Sequence, residues 1–401
     1  MSMRDHPITR RGLAIGTALA GAATAMASLV GCSPDEGNKP TGTPQVVDTT
    51  KVVNVLKDYK QADAGLTAAK TWNLPVGTVP FLTSGMRAAI MQAPESAVHV
   101  NTLGVLSLND GTTGTVLDTP TLGKPYEFFD VRCSEQVMAW VEMNYLTGAW
   151  TLFGQECTAS ALTGKPTKLD SGGKNYQPAV ITVSGASVIW YKMPSITGTR
   201  LSEHSYCRLW NLGDGQSPRT VYNSPGRFAA APRVSGRTLT IVPRVKEQDG
   251  TYYGLTAINL DDSNLTQVAQ LVLPVGVSPF DAVYNGKSFA FSIEAAYNGV
   301  GALGQMGTFI GREGGPYVYF SREPTAPVTS SGSRYLIKSQ SGFYVVDTDK
   351  KTYGAIASTD RALDFGDYPA SEGETKNFLT FATVRDDQGI PSNVTMKLYS
   401  L

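Results

Sequence analysis

Tyr176–Met193 reads YQPAVITVSGASVIWYKM: a proline, a short apolar strand, a Ser-Gly turn and a second apolar strand. The same pattern returns about every 50 residues from Leu74 onward. Its turns are Ser84-Gly85, Cys133-Ser134, Ser184-Gly185, Ser235-Gly236, Asn285-Gly286, Ser331-Gly332 and a degenerate Gly373-Glu374. About five residues beyond each turn stands a large apolar residue: Ile90, Trp140, Trp190, Ile241, Phe291, Ile337 and Phe381. The steps along this column are 50, 50, 51, 50, 46 and 44 residues. Around it the residues alternate or run apolar, as in Val188-Ile189-Trp190-Tyr191, which is the signature of half-buried or buried strands.

A further strand succeeds each column residue after a variable loop, ending for example in Trp210-Asn211-Leu212 or Ile258-Asn259-Leu260, and turn residues come next. Seven units of this length, each with room for four strands, predict an all-β, seven-bladed β-propeller with four-stranded blades over 67–401. The last unit stops after its third strand. Ala68–Leu74 precedes the first unit just as Thr266–Leu273 precedes the fifth, so it is expected to supply the missing strand. The last blade would then be closed by an N-terminal strand, removing two open sheet edges. Val52, Val55, Leu56 and Tyr59 fall at helical spacing and predict a short amphipathic helix.

Of 401 residues, 41% are hydrophobic, 17% are charged and 41 are Gly. That suits a turn-rich β protein with a large core better than a helical one. Formal charge is zero overall. Setting aside Arg4, Arg10, Arg11 and Asp5 leaves 31 basic and 33 acidic residues, a net of −2. Nothing in this balance favours nucleic acid as a partner.

The N-terminus carries a basic segment ending in Thr9-Arg10-Arg11, the apolar run Gly12–Val30, and then Leu29-Val30-Gly31-Cys32. This resembles the signal peptide of a bacterial lipoprotein with a twin-arginine export motif. The resemblance implies cleavage after residue 31, a diacylglycerol on the Cys32 thiol, export through Arg10 and Arg11, and a domain lipid-anchored on the extracytoplasmic side. Leu13 stands where that export motif usually has Phe. Ser33–Thr50 is rich in Pro, Gly and Thr and reads as flexible chain, part of a tether over 32–66. The repeat itself is similar to the TolB-like and WD40-like propellers exported by bacteria such as actinobacteria. Its Ser-Gly turns replace the Pro-Asp-Gly turns of the first group, and the Trp-Asp dipeptides of the second are missing. Such a likeness implies a scaffold and not an activity.

Catalytic and cofactor motifs are sparse. Beyond residue 32 the only histidines are His99 and His204, too few for a multi-histidine metal site. No Gly-x-Ser-x-Gly elbow presents a serine. Gly299–Gly304 spells GxGxxG, but Met306–Ile310 after it reads as a strand where a dinucleotide fold needs a helix. No cofactor and no metal are implied. Cys133 and Cys157 fall at the same end of the second blade and predict a disulfide, with Cys207 buried in the third strand of the next blade.

The aromatic column is expected to pack blade on blade. Candidate binding residues therefore lie on the loops between strands two and three, which share one face of the ring: Glu142, Tyr145, Lys192, His204, Arg244, Glu294, Tyr297, Arg385 and Asp386. The sequence thus leads to a surface-anchored binding or protein-interaction module, whose partner is an envelope protein, a peptide or a glycan. Its alternative is an extracellular hydrolase or lyase acting on polysaccharide or peptide through carboxylates at the ring mouth.

Overall fold

The computed structural model describes residues 52–401, except 97, 159–160, 198, 201, 216, 247–249, 295–305, 341 and 364–365. The signal peptide, Arg10, Arg11, Cys32, the tether up to residue 51, Tyr297 and the GxGxxG stretch all lie outside the described residues.

Each Ser-Gly turn joins two antiparallel strands, because its glycine takes a left-handed backbone that β-branched neighbours refuse. Gly85, Gly185, Gly236 and Gly332 sit at φ of 59, 55, 59 and 58°. From these hairpins the chain builds four-stranded antiparallel blades, each running from the ring's centre outward. Blade 1 spans Thr78 to Leu117, blade 2 Glu127 to Gly172, blade 3 Val180 to Ser224, blade 4 Arg233 to Val272, blade 5 Asp281 to Phe320 and blade 6 Thr329 to Ile356. A closing sheet combines Tyr368–Pro369, Asn377–Arg385 and Pro391–Ser400 with an N-terminal strand, Ala68–Leu74. The fold is an all-β propeller.

The seven like repeats expected from the sequence are corrected to six. Six blades each come from one run of chain, while the last sheet is a composite of both ends. Its innermost strand is only two residues long, because the segment after it leaves the sheet to cross the ring. The blades pack through apolar clusters that each span two neighbouring sheets. Trp140 lies between blades 1 and 2, Trp190 between blades 2 and 3, and Phe291 between blades 4 and 5. These three column residues are fully buried, whereas Phe381, in the closing sheet, is half-buried. Each indole N–H finds a carboxylate, Trp140 Nε1 on Glu142 and Trp190 Nε1 on Asp170, both at 2.9 Å.

The N-terminal segment differs from the expected tether and helix. Val52–Asn54 (β1) adds in parallel to the outer strand of blade 5, and Lys60–Gln61 (β2) does the same on blade 6. Between them Val55–Asp58 (α1) forms a single turn that buries Val55 against both blades. The short helix suggested by the apolar spacing is thus cut to one turn, because the outer edges of blades 5 and 6, with unpaired N–H and C=O groups, take the residues flanking it as short strands. Ala68–Leu74 (β3) then pairs antiparallel with Pro391–Ser400, Trp72 opposite Met396.

Cys133 and Cys157 also depart from expectation. They are buried free thiols within one apolar cluster, as is Cys207 in the next. Burial, with the neighbouring Cys157 adding to it, pushes the Cys133 thiol up to about 12. Both sit as small apolar side chains in a dry cluster, which stabilises thiols over thiolates.

A chain lacking residues 1–74 leaves the edge of Pro391–Ser400 unpaired, and its melting temperature is expected to fall by about 10 °C or more. Calorimetry showing an unchanged transition would mean closure by β3 is dispensable. In the native chain, alkylating reagent at pH 8 is expected to leave all three thiols unlabelled and to label them after denaturation without reductant. A peptide cross-linked between residues 133 and 157 would contradict that.

Candidate functional site

The centre of a propeller is bounded by the innermost strands of its blades, and here a segment of the chain itself fills that space. After Pro369 the residues Ala370–Thr375 leave the closing sheet and cross the ring. Ala370 O accepts from Thr83 N at 2.7 Å and Ser371 Oγ meets Thr83 Oγ1 at 3.1 Å, both on blade 1. Thr182 Oγ1 of blade 3 donates to Glu372 Oε1 at 3.1 Å. Glu374 N donates to Ser235 Oγ of blade 4 at 3.0 Å, and Gly373-Glu374 pairs in parallel with Thr329-Ser330 of blade 6. A Cβ on Gly373, at φ +61°, would stand 2.5 Å from Val234 O, so only glycine passes here.

The segment is pinned by charge. Arg233, at the start of the inner strand of blade 4, reaches Asp281 Oδ1 of blade 5 at 2.7 Å and Glu372 Oε2 at 3.0 Å. Their side chains expose only 13, 1 and 9% of their surface, so water screens them little. Asp281 Oδ2 also accepts from Val328 N. Burial lifts the Glu372 carboxyl above the usual carboxylate range, against the pull of Arg233 and, more weakly, Arg132. Burial opposes the charge on Arg233, but the two carboxylates outweigh it and hold its proton more tightly than usual. The carboxylates that do converge at the centre are therefore committed to an arginine inside a filled channel. That is a poor arrangement for acid–base work on a substrate.

The two ends of the ring differ. One carries the hairpin turns between strands one and two and between three and four; the other carries the strand two-to-three loops and the inter-blade connections, here called the loop face. Ten of the eleven large apolar side chains exposed among the described residues lie on the loop face. Val98, Tyr145, Leu146, Ile196, Met306 and Ile390 stand on strand two-to-three loops of five sheets. Val76, Leu122 and Val275 stand on connections, and Val79 at the start of blade 1. Only Val268, on the outer strand of blade 4, lies elsewhere. Apolar residues scattered singly need no explanation, but among the described residues they gather at one end of the ring.

On this face, between blades 2 and 3, opens a cleft of about 550 Å³ lined by Thr147, Ser171–Tyr176, Lys192 and Arg200. Lys192 Nζ is held by Asp170 Oδ1 and Ser171 O at 2.5 and 2.7 Å, and lies 5.4 Å from the Trp150 ring and 5.2 Å from that of Tyr176. Arg200 also lies over Tyr176, at 5.7 Å, and donates to its hydroxyl.

The nine residues expected on this face are not one site. Lys192 lines the cleft, and Tyr145 stands exposed beside it on the turn that also carries Thr147. Glu142 is fully buried: its oxygens accept from Thr121 N, Leu122 N and Trp140 Nε1, so it fastens a connection instead of facing solvent. His204 Nδ1 bonds Asn223 on the outer strand of blade 3, and Arg244 N bonds Ser224. Among the described residues, neither histidine side chain is hydrogen-bonded to a serine. Arg385 donates to Gly389 O, and Asp386 caps its own turn through Gln388 N and Ile390 N. Glu294 is exposed on blade 5. Sequence reasoning missed Tyr176 and Arg200, although the stretch Tyr176–Met193 begins on one of them. The alternation of loops gave no sign that the connection before blade 3 and the long loop within it would meet.

No family model matches the chain and no curated protein matches it. Solved structures do. The β-propeller domain of the Trilobed protease from Pyrococcus furiosus is 8% identical, with 82% of this chain and 94% of that one covered at a TM-score of 0.51. The Pyrococcus horikoshii acylaminoacyl peptidase is 10% identical, over 83% of this chain and 52% of that one, at 0.50. A puromycin-hydrolyzing peptidase of Mycobacterium tuberculosis is 13% identical over 84% and 54%, also at 0.50. At these identities the likeness concerns the fold, and the chain spans about half the length of the last two. The expectation of a binding or protein-interaction module is corrected here, since the propellers that this one resembles are parts of peptidases.

Replacing Arg233 with Ala leaves Asp281 and Glu372 unpaired where they are buried. The expected loss is about 3–5 kcal/mol of unfolding free energy in urea titrations, far beyond the effect of a surface charge such as Arg219→Ala. A loss below about 1 kcal/mol would show that the ion triad does not hold the crossing segment.

Proposed function

We propose that the chain works in peptide hydrolysis as the propeller part of a peptidase, shaping access to a hydrolytic part seated on its loop face. The observation that carries this reading is the gathering of exposed apolar side chains on that one face. The peptidases named above add support, because their chains hold about as much polypeptide again beyond the part this fold covers. The crossing segment adds a constraint: with Ala370–Thr375 across the ring, peptides do not thread its axis and must approach from the loop face or the rim. Carboxylates at the ring mouth are set aside as the catalytic groups, because Asp281 and Glu372 serve Arg233.

Arg10-Arg11 and the Leu29–Cys32 lipobox make the chain an exported bacterial lipoprotein, held to the membrane by a diacylglycerol on Cys32. Peptide hydrolysis then takes place outside the cytoplasmic membrane.

The test measures turnover of fluorogenic N-blocked peptide amides by washed cells with and without the gene. Loss of the chain is expected to lower turnover several-fold. Wild-type chain should restore it, and the variants Leu146→Asp and Ile196→Asp, which charge the loop face without touching the core, should not. Unchanged turnover in the deletion strain would overturn the reading.

A further inference from the structure

Resting on the peptidase reading, we propose that the cleft between blades 2 and 3 is a subsite for a peptide carboxylate, either the chain's terminal group or an acidic side chain. The cleft is built around Tyr176. Its hydroxyl donates to Glu203 Oε2 at 3.1 Å and accepts from Arg200 Nη1 at 3.1 Å, and Glu203 Oε1 stands 3.3 Å from that same nitrogen. One corner of the guanidinium is thus pinned. Its Nε and Nη2 carry no hydrogen bond among the described residues, and together they form the planar fork that fits a carboxylate in bidentate fashion.

Lys192 brings a second cation to the same ring. Two of its three N–H donors go to Asp170 Oδ1 and Ser171 O, which leaves one for a ligand. Trp150 and Tyr176 flank it, so the ammonium is fixed in place before any ligand arrives. Lys174, exposed on the rim, is a third cation. Set against Asp170 and Glu203, these three leave the cleft with one positive charge in surplus.

The backbone makes the room. Gly172 lets the Trp150 indole approach, since a Cβ there would stand 2.6 Å from the ring. Gly173 next to it has nothing within 4 Å of where a Cβ would be. Gly173 lines the cleft, so a larger side chain there narrows it, and its Cβ would meet no protein.

The experiment titrates the full-length chain in detergent with three peptides: acetyl-trialanine as the free acid, the same peptide as its amide, and acetyl-Ala-Glu-Ala-amide. At least one of the two acids is expected to bind about tenfold or more tightly than the neutral amide. The acid that does so identifies the source of the carboxylate. Arg200→Gln and Gly173→Leu should each weaken that acid about tenfold while the melting temperature stays unchanged, and Arg200→Lys should fall between wild type and Arg200→Gln. Equal binding of all three peptides, no binding of either acid at millimolar concentration, or no effect of Gly173→Leu would overturn the subsite. Cell turnover is a separate readout. Carboxylate preference without any loss of turnover on deletion would sink the peptidase reading alone, and loss of turnover without carboxylate preference would sink the subsite alone.

Discussion

The ion triad of Arg233, Asp281 and Glu372 is the constraint on which the interior depends. A ring of sheets leaves a gap at its axis, because inner strands cannot approach closer than their side chains permit. Filling it with a backbone segment brings in peptide N–H and C=O groups that water can no longer satisfy. Ala370–Thr375 solves this by bonding to Thr83, Ser235, Thr329 and Ser330, which come from blades 1, 4 and 6. The charges then fix the register of the crossing, since Glu372 must reach Arg233 and Thr182 together. A buried ion pair is a doubtful source of net stability against an apolar replacement. Its value here is positional: only one placement of the segment leaves no carboxylate unpaired.

The ring around this centre closes through its two ends. β3 lies on Pro391–Ser400, and its Leu74 joins an apolar cluster with Ala88 and Ile90 of blade 1. Closure couples the closing sheet to the first blade through the same core that the aromatic column builds elsewhere. β1 and β2 reinforce the perimeter just before it, covering the outer edges of blades 5 and 6. The N-terminal segment therefore binds three successive sheets along the rim. It also covers edges that would otherwise template pairing with other chains.

Much of this frame was legible in the sequence, and the reason is periodicity. The Ser-Gly turns, the column through Trp140 and Trp190, and the likeness between the segments before blades 1 and 5 all express local rules repeated at a fixed interval. What escaped has no local signature. β1 and β2 are two or three residues long, too short to alternate. In the sequence Gly373-Glu374 of Ala370–Thr375 reads as the turn of the seventh unit, and the segment's partners Thr83, Thr182 and Arg233 stand 288, 190 and 139 residues from the atoms they bond. Glu142 reads as a loop residue because it lies next to a turn, yet its strand runs two residues further, to Asn144, and carries the carboxylate into the core. The site suffered most, since convergence of Lys192, Tyr176 and Arg200 depends on how two loops fold toward each other.

The filled axis, the apolar loop face and the basic cleft bear on one another. A hole through the ring would give two faces equal access to a ligand; the crossing segment removes that symmetry and leaves access to the face and rim. The cleft lies on the same face as Leu146 and Ile196, so a domain seated on those apolar side chains would also exclude water from Lys192 and Arg200. Charge pairing strengthens steeply as water leaves, because the effective dielectric falls. The half-buried Lys192 and the exposed Arg200 would hold a carboxylate more tightly under a covering domain than in its absence. Under the proposed reading, covering the face and recognising a carboxylate would be one event, and the apolar side chains that drive the first would set the strength of the second.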